Sequence, residues 1–314
     1  MIMRRFVKFL MLSFCLAFVL SAQAAETTVQ PFVLAYISNS DFKSTVKTVE
    51  QKLQKGGFKI VGVYNLDLKK FHPYQAATVI CVTSPALLAA AARTSHGGYG
   101  AVESVSVTKT DGQIQVAYLN PVYYSYAYRM HADLQPVLEH LGKTLGMEQA
   151  FGKKMTPKSL ENYHYTFGME YFNEPLHLKT YASHAQAVAA VRKNLQAGKQ
   201  HTRFVYEVNV PGTDQTVFGV GLDNPNNGNV NDAHIMQVVD FKKLKGTAYL
   251  PYQILVMGNK VEALNLRFRL AVFFPGLSMM GGHSFMSLMS APDAIKNALT
   301  KMAGGSVSSG FSLF

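Results

Sequence analysis

A strand–helix–strand unit is written twice in this chain, and that repetition limits the folds open to it more than any other feature. In the first copy Asp41 stands as a helix N-cap. Phe42, Val46, Val49 and Leu53 then fall on one helical face, and Gly56 ends the segment. In the second copy Ser183 and Gln186 form a capping-box pattern, Val188, Val191 and Leu195 make the apolar stripe, and Gly198 ends it. Cap and terminating glycine are equally far apart in both. Each helix follows a strand pattern, Phe32 to Ile37 or Leu176 to Tyr181. Each precedes another, Phe58 to Tyr64 or Phe204 to Val210.

The parallel continues more loosely. Ala77 to Val82 reads as a buried strand running into Ser84-Pro85, a helix start with proline in its first turn. Thr216 to Leu222 is its counterpart and runs into the polar loop Asp223 to Gly228. Both halves then carry a hairpin. Ala101–Thr108 and Gln113–Leu119 turn at Asp111-Gly112, and Tyr252–Met257 and Val261–Phe273 turn at Gly258-Asn259-Lys260. A helix closes each half. Asp133 caps the stripe Leu134, Val137, Leu138, Leu141 and Leu145; Ser290 and Asp293 make a capping box before Ile295, Ala298, Leu299 and Met302. Strands outnumber the helical cover. The fold class this predicts is α+β, a duplicated two-layer α/β unit with largely antiparallel sheets in a pseudo-symmetric pair. The expected division is a leader at 1–24, a first domain at 25–146, an aromatic-rich linker at 147–173, a divergent second domain at 174–303 and a Gly/Ser-rich tail at 304–314.

Several of these pieces, in order, resemble the family called domain of unknown function 302. Phe42 to Phe58 is similar to its first amphipathic helix and following strand, and Ser84-Pro85-Ala86-Leu87-Leu88 to its strand-to-helix turn. Gly100 to Pro121, ending in Tyr118-Leu119-Asn120-Pro121, resembles its hairpin and closing turn, and Asp133 to Leu145 its last helix. The resemblance covers about residues 31–146, with a divergent second copy at about 174–303. In that copy Asp223-Asn224-Pro225 stands for the turn, and a long polar insertion and Ser290-Ala291-Pro292-Asp293 depart from the pattern. The resemblance implies a compact, often self-associating α/β unit and carries no catalytic residues with it.

The amino terminus reads as a secretory signal. Arg4, Arg5 and Lys8 precede an apolar run from Phe9 to Leu20, and Ala22-Gln23-Ala24 offers a cleavage site after Ala24. Cleavage removes three positive charges and no acid, taking the net charge from +11 to +8. The expected location is the periplasm or the outside of the cell. The remaining basic residues are scattered, without an arginine-rich arm, which argues against nucleic acid as a partner. Self-association and contact with a membrane face stay open. Cys81 is the one cysteine left after cleavage, in a strand pattern, so it reads as a core thiol rather than a disulfide or redox group.

Three constellations carry candidate chemistry. Leu264, Leu266, Phe268, Leu270, Val272 and Phe274 alternate as one face of a strand, which predicts Asn265, Arg267 and Arg269 together on the other. Two guanidinium forks so placed suit a carboxylate, phosphate or sulfonate; the plainer reading is a solvated sheet face. The second is Met279 to Met289, where Met279, Met280, His283, Met286 and Met289 offer ligands suited to Cu(I). The ordinary reading there is core packing by flexible thioethers. The third comprises two tyrosine-rich runs, Tyr123, Tyr124, Tyr126 and Tyr128, and Tyr163, Tyr165, Phe167, Tyr171 and Phe172. They are expected to join the two units or to wall a cleft between them.

Enzyme chemistry has thinner support. Ser95, His96 and Glu103 lie close in sequence, and Glu170, Glu174, Asp223, Asp232 and Asp240 could include an acid–base pair. There is no Cys-x-x-Cys-His and no His-Glu-x-x-His. The reading that follows is an exported, non-catalytic binding or structural protein, without a cofactor. Its ligand would be a small anionic or amphipathic molecule held between the halves by Asn265, Arg267, Arg269, Tyr126 and Tyr165. A Cu(I)-binding protein is the alternative, and a periplasmic hydrolase a more distant one.

Overall fold

A computed structural model of the chain describes residues 27–164 and 168–307. The expected leader, Tyr165, Phe167 and the closing Phe311 and Phe314 lie outside them. The described residues form an α+β fold with two antiparallel sheets. Its strands are β1 (Phe32–Ser38), β2 (Lys59–Asn65), β3 (Ala76–Thr83), β4 (Glu103–Thr110), β5 (Gln113–Leu119), β6 (Gln149–Phe151), β7 (Leu176–Thr180), β8 (Thr202–Val210), β9 (Gln215–Leu222), β10 (Tyr252–Met257) and β11 (Lys260–Ala263). Its helices are α1 (Phe42–Lys55), α2 (Pro85–Ala91), α3 (Pro121–Ala127), α4 (Gln135–Leu145), α5 (Pro157–Glu161), α6 (His184–Gln196), α7 (Asp232–Val239), α8 (Leu266–Phe273) and α9 (Ala291–Met302). Among the described residues no helix is long and apolar enough to cross a membrane.

The first sheet has the order β2-β3-β4-β5-β1-β6 and the second β7-β11-β10-β9-β8. Without β6, each half arranges its strands as second, third, fourth, fifth, first. Local chemistry explains the helices that follow the first strands. The Asp41 carboxylate accepts the Ser44 amide at 2.9 Å, and the Ser183 hydroxyl accepts that of Gln186 at 3.3 Å. Gly57 and Gly198 take the left-handed conformation where the chain leaves each helix. α1 then packs on β2, β3 and β4, and α6 on β8, β10 and β11. The closing helices α4 and α9 lie against β1 and β7. The β4–β5 hairpin turns at Asp111-Gly112, both at positive φ. The expected linker is not a tether. Its β6 extends the first sheet by pairing with β1, and Phe172 is buried.

Two expectations fail locally. The strand predicted to run to Phe273 stops at Ala263, and the next residues are the helix α8. Nearly every α8 side chain is buried, Leu266, Phe268, Arg269, Leu270, Ala271, Val272 and Phe273 among them. A helix covered on all sides has no apolar stripe, so its sequence happens to alternate like a strand. Ser290 precedes α9 but makes no side-chain cap.

Side chains that point away from the helices turn each sheet toward the other half. On β4 and β5 these are Ser104, Ser106, Thr108, Gln115 and Ala117; on β9 and β10 they are Gln215, Gln253 and Leu255, with Gly219 and Gly221 leaving room on the same face. The parity follows from their partners. Thr108 meets the Thr247 hydroxyl at 2.9 Å, and Gln115 bonds the Lys243 carbonyl and the Lys245 amide. Gln215 spans the Thr94 carbonyl and the Gly98 amide, both at 2.9 Å, and Gln253 donates to the Tyr99 carbonyl at 3.1 Å. Tyr64 of β2 lies over Gly221, where a Cβ would come within 2.5 Å of its ring. Cys81 on β3 is fully buried, and burial pushes its thiol up to about 12, which leaves it protonated and unreactive.

Candidate functional site

The junction between the halves is mostly filled by these contacts, and two hollows border it. One is a small internal chamber lined by Tyr99, Tyr124, Tyr128, Tyr249, Gln253 and Arg269 among others, with a volume of about 10 Å³. The other is an open groove of about 380 Å³ at one end of the junction.

Arg269 enters the chamber from α8. It is 3% exposed, and its guanidinium lies between the rings of Tyr249 and Tyr252, 4.5 and 4.2 Å from their centroids. One terminal nitrogen donates to the carbonyls of Tyr249 and Pro251, at 2.9 and 3.1 Å. Arg267 is elsewhere. Two residues on in a helix is the opposite side, and Arg267 forms a two-pronged ion pair with Glu170, its Nε 3.1 Å from Oε2. Asn265 caps α8 by accepting the Arg267 amide at 2.9 Å and donates to Glu170 at 2.8 Å. Burial pushes the Glu170 carboxyl up, but the Arg267 hydrogen bond and the residue's own amide outweigh this and leave it below the usual carboxylate range. The expected shared face of Asn265, Arg267 and Arg269 is therefore corrected. The first two, with Glu170, pin the linker to α8, and only Arg269 faces a hollow at the junction. Tyr126 is also apart, on a separate hollow of about 270 Å³ with His131, Asp133 and Glu161. Tyr165 lies outside the described residues.

The groove draws its apolar wall from both halves: Phe32 and Phe151 from the first, Phe241, Phe273, Phe274 and Leu277 from the second. Phe32 stacks on Phe151 at 5.3 Å and touches Phe274 at 5.7 Å, so the wall is continuous across the junction. Lys153, Lys242 and Lys243 stand exposed on its rim. Among the described residues none of the three makes an ion pair. The lining also includes Asp240, but its carboxylate is spoken for. It accepts the Tyr74 hydroxyl and, at 2.9 Å, the Gly246 amide, and burial pushes it up to about 6. The sequence reading missed this groove. Phe241-Lys242-Lys243 was the one local signal, while the other walls come from three separate segments of the chain, around Phe32, Phe151 and Phe274.

The methionine segment flanks the groove through Phe241, whose ring stacks on His283 at 4.4 Å. Core packing is corrected for these methionines, since Met279, Met280, Met286 and Met289 are 44, 79, 50 and 66% exposed. The His283 Nδ1 lies 2.9 Å from the Val238 carbonyl, which can only accept, so Nε2 is left as the basic nitrogen.

Acidic groups named from the sequence take structural posts. Tyr64 donates to Asp232 at 2.8 Å and reaches Asp223 at 3.2 Å, Asp232 also accepts the Leu222 amide, and Arg203 pairs with Asp223. Burial, with the neighbouring Asp223, pushes Asp232 up to about 7. Ser95 and His96 do meet, at 3.2 Å, and His96 pairs with Glu262 at 3.1 Å rather than with Glu103. The Gly97, Gly98 and Tyr99 amides beside them, which an acyl-transfer site would need as oxyanion donors, are bound to the Thr94 carbonyl, Gln215 and the His96 carbonyl. Glu103 is buried against Tyr124 and the Ser104 amide. In comparisons with protein-family models, curated proteins and solved structures, nothing matches this chain.

Proposed function

We propose that the protein is an exported, non-catalytic binding protein whose groove takes an amphipathic anion, an acyl chain with one carboxylate or phosphate head. The observation that carries this reading is a continuous aromatic wall built by both halves under three lysines that, among the described residues, make no ion pair. The chain would lie along Phe32, Phe151 and Phe274, and the head would meet Lys153, Lys242 and Lys243. The groove's volume of about 380 Å³ sits in the range of about 300–1,000 Å³ usual for small-molecule sites. Export rests on the amino-terminal leader pattern. Calorimetric titration with sodium laurate tests the proposal. The expected result is saturable binding that weakens at least tenfold in Lys242→Glu/Lys243→Glu, with an unchanged melting temperature. Absent binding, or equal binding by the double variant, would overturn it.

A second reading has its own observation. Four exposed thioethers and the His283 Nε2 on one short segment form a donor set suited to Cu(I). Titration of the protein with Cu(I) against a colorimetric chelator checks it. A stoichiometric site lost in Met286→Leu with His283→Ala supports the metal, and no competition with the chelator removes it.

A further inference from the structure

Five of the nine large apolar side chains that stand exposed among the described residues fall on one patch beside the groove: Phe241, Met279, Met280, Met286 and Met289. Their exposure is built into the loop that carries the methionines. Leu277, Phe285 and Leu288 are its buried side. The Ser278 hydroxyl reaches the Met280 and His283 carbonyls at 2.9 and 3.1 Å, and the Ser284 and Ser287 hydroxyls donate to the Gly281 carbonyl at 2.6 and 2.9 Å. The Phe285 and Met286 amides close the loop onto the Ser278 and Met279 carbonyls. The loop thus spends its polar groups on itself and turns thioethers outward. Met280, 79% exposed, protrudes from it. Charge borders this patch. Phe241 stacks on His283 of the loop and lines the groove together with Leu277, Lys153, Lys242 and Lys243. Lys154, next in the chain to Lys153, is exposed as well, and among the described residues none of the four lysines makes an ion pair. The loop from Phe274 to Ser290 contains no Asp or Glu. The one carboxylate in the groove lining, Asp240, is buried and bonded to Tyr74 and the Gly246 amide.

We infer that this patch docks the protein on an anionic bilayer surface, with Phe241 and the methionines entering the headgroup layer and the four lysines meeting lipid phosphates. Exposed apolar patches of this kind mark interaction sites, and charge selects the partner. A protruding apolar group bordered by cations without counter-acids complements an interface that is apolar inside and negative at its surface. Thioethers are flexible and unbranched, so they fit among disordered acyl chains. Lysine stems lie along apolar surface while the ammonium stays with the phosphates. A loop whose carbonyls are already bonded to its own hydroxyls and amides leaves fewer polar groups to desolvate on entry. On the reading of the groove as an acyl site, docking would set its mouth beside the lipids and so supply a source for the ligand. The docking itself does not depend on that reading.

The test is cosedimentation of the purified protein with phosphatidylglycerol vesicles, against phosphatidylcholine vesicles. The expected result is binding to the anionic vesicles alone, weakened by at least about tenfold in Lys242→Glu/Lys243→Glu and, separately, in Met280→Gln/Met289→Gln. The methionine variant is expected to melt like the parent and to keep its laurate titration. That titration contains no vesicles, so lost docking with retained laurate binding, or the reverse, shows which of the two readings has failed. The chain has no tryptophan, and Met280→Trp therefore places a single reporter on the loop. Its emission is expected to shift to the blue on phosphatidylglycerol vesicles and to be quenched by brominated acyl chains. Equal binding to both vesicle types, parental binding by the methionine variant, or an unshifted Met280→Trp emission would overturn the inference. So would a dimer seen by sedimentation velocity without lipid and lost in the methionine variant, which would give the patch to a second copy of the chain.

Discussion

Asp232 shows how one buried side chain sets a response of the whole protein. Its carboxyl titrates near 7 in the folded protein because burial, and Asp223 beside it, disfavour the anion. An unfolded aspartate titrates near 3.9. Below about pH 4 both states hold the proton. Between there and pH 7 only the folded state does, so unfolding releases a proton and stability falls as the pH rises. Asp240, pushed up to about 6, and Glu103, pushed well above its usual range, act in the same direction. The melting temperature is therefore expected to be higher at pH 5 than at pH 8. Asp232→Asn keeps an acceptor for Tyr64 and Leu222 but has no proton to lose. Its expected signature is a shallower decline across that interval in calorimetric scans at several pH values, with little change at pH 4. Asp232 was named among the sequence's acidic candidates, but its role was not readable there, since Tyr64 lies 168 positions away.

At the scale of elements, local signals and contact signals separate cleanly. The Ser183 cap works on the amide three residues on, so Ser183→Ala is expected to cost about 1 kcal/mol in urea unfolding, without touching laurate binding. Helices α1 and α6 and the β4–β5 hairpin were legible because cap, stripe and turn residues act on neighbours. α8 was not, because its all-round burial erased the periodicity that would have marked it. β2 and β8 hold another feature invisible in sequence. Each carries a bulge, at Ile60/Gly62 and Phe204/Tyr206, and the two edges touch there. A Cβ on Gly62 would lie 2.3 Å from the Val205 carbonyl oxygen. Backbone cannot swing aside as a side chain can, so Gly62→Ala is expected to destabilise by about 1–3 kcal/mol, measured by the same unfolding midpoint.

Across the whole molecule, the halves share an unusually polar seam. Gln115, Gln215 and Gln253 each bond to the backbone of the opposite half from a buried or partly buried position. Separation would hand those amides to water and expose the inner faces of both sheets, so each lost hydrogen bond counts for about 0.5–1.5 kcal/mol and the buried apolar side chains between them add to it. The two halves are expected to unfold together: tyrosine fluorescence and far-ultraviolet circular dichroism should give coincident urea transitions. Two separated transitions would show that the seam adds little. Seen at this scale, the groove and the Arg269 chamber are both products of one half meeting the other.

The chain's own letters determined the two strand–helix–strand units, the hairpins, the α+β class and the core role of Cys81, because each depends on residues within one or two turns or on composition. The tertiary structure alone decided that Arg267 is bound to Glu170 while Arg269 is buried, that Met279, Met280, Met286 and Met289 lie outside the core, and that Phe32, Phe151 and Phe274 meet beneath three lysines. Those outcomes depend on which distant segments share a volume, and a side chain's charge, burial and partners are properties of that shared volume rather than of its place in the chain.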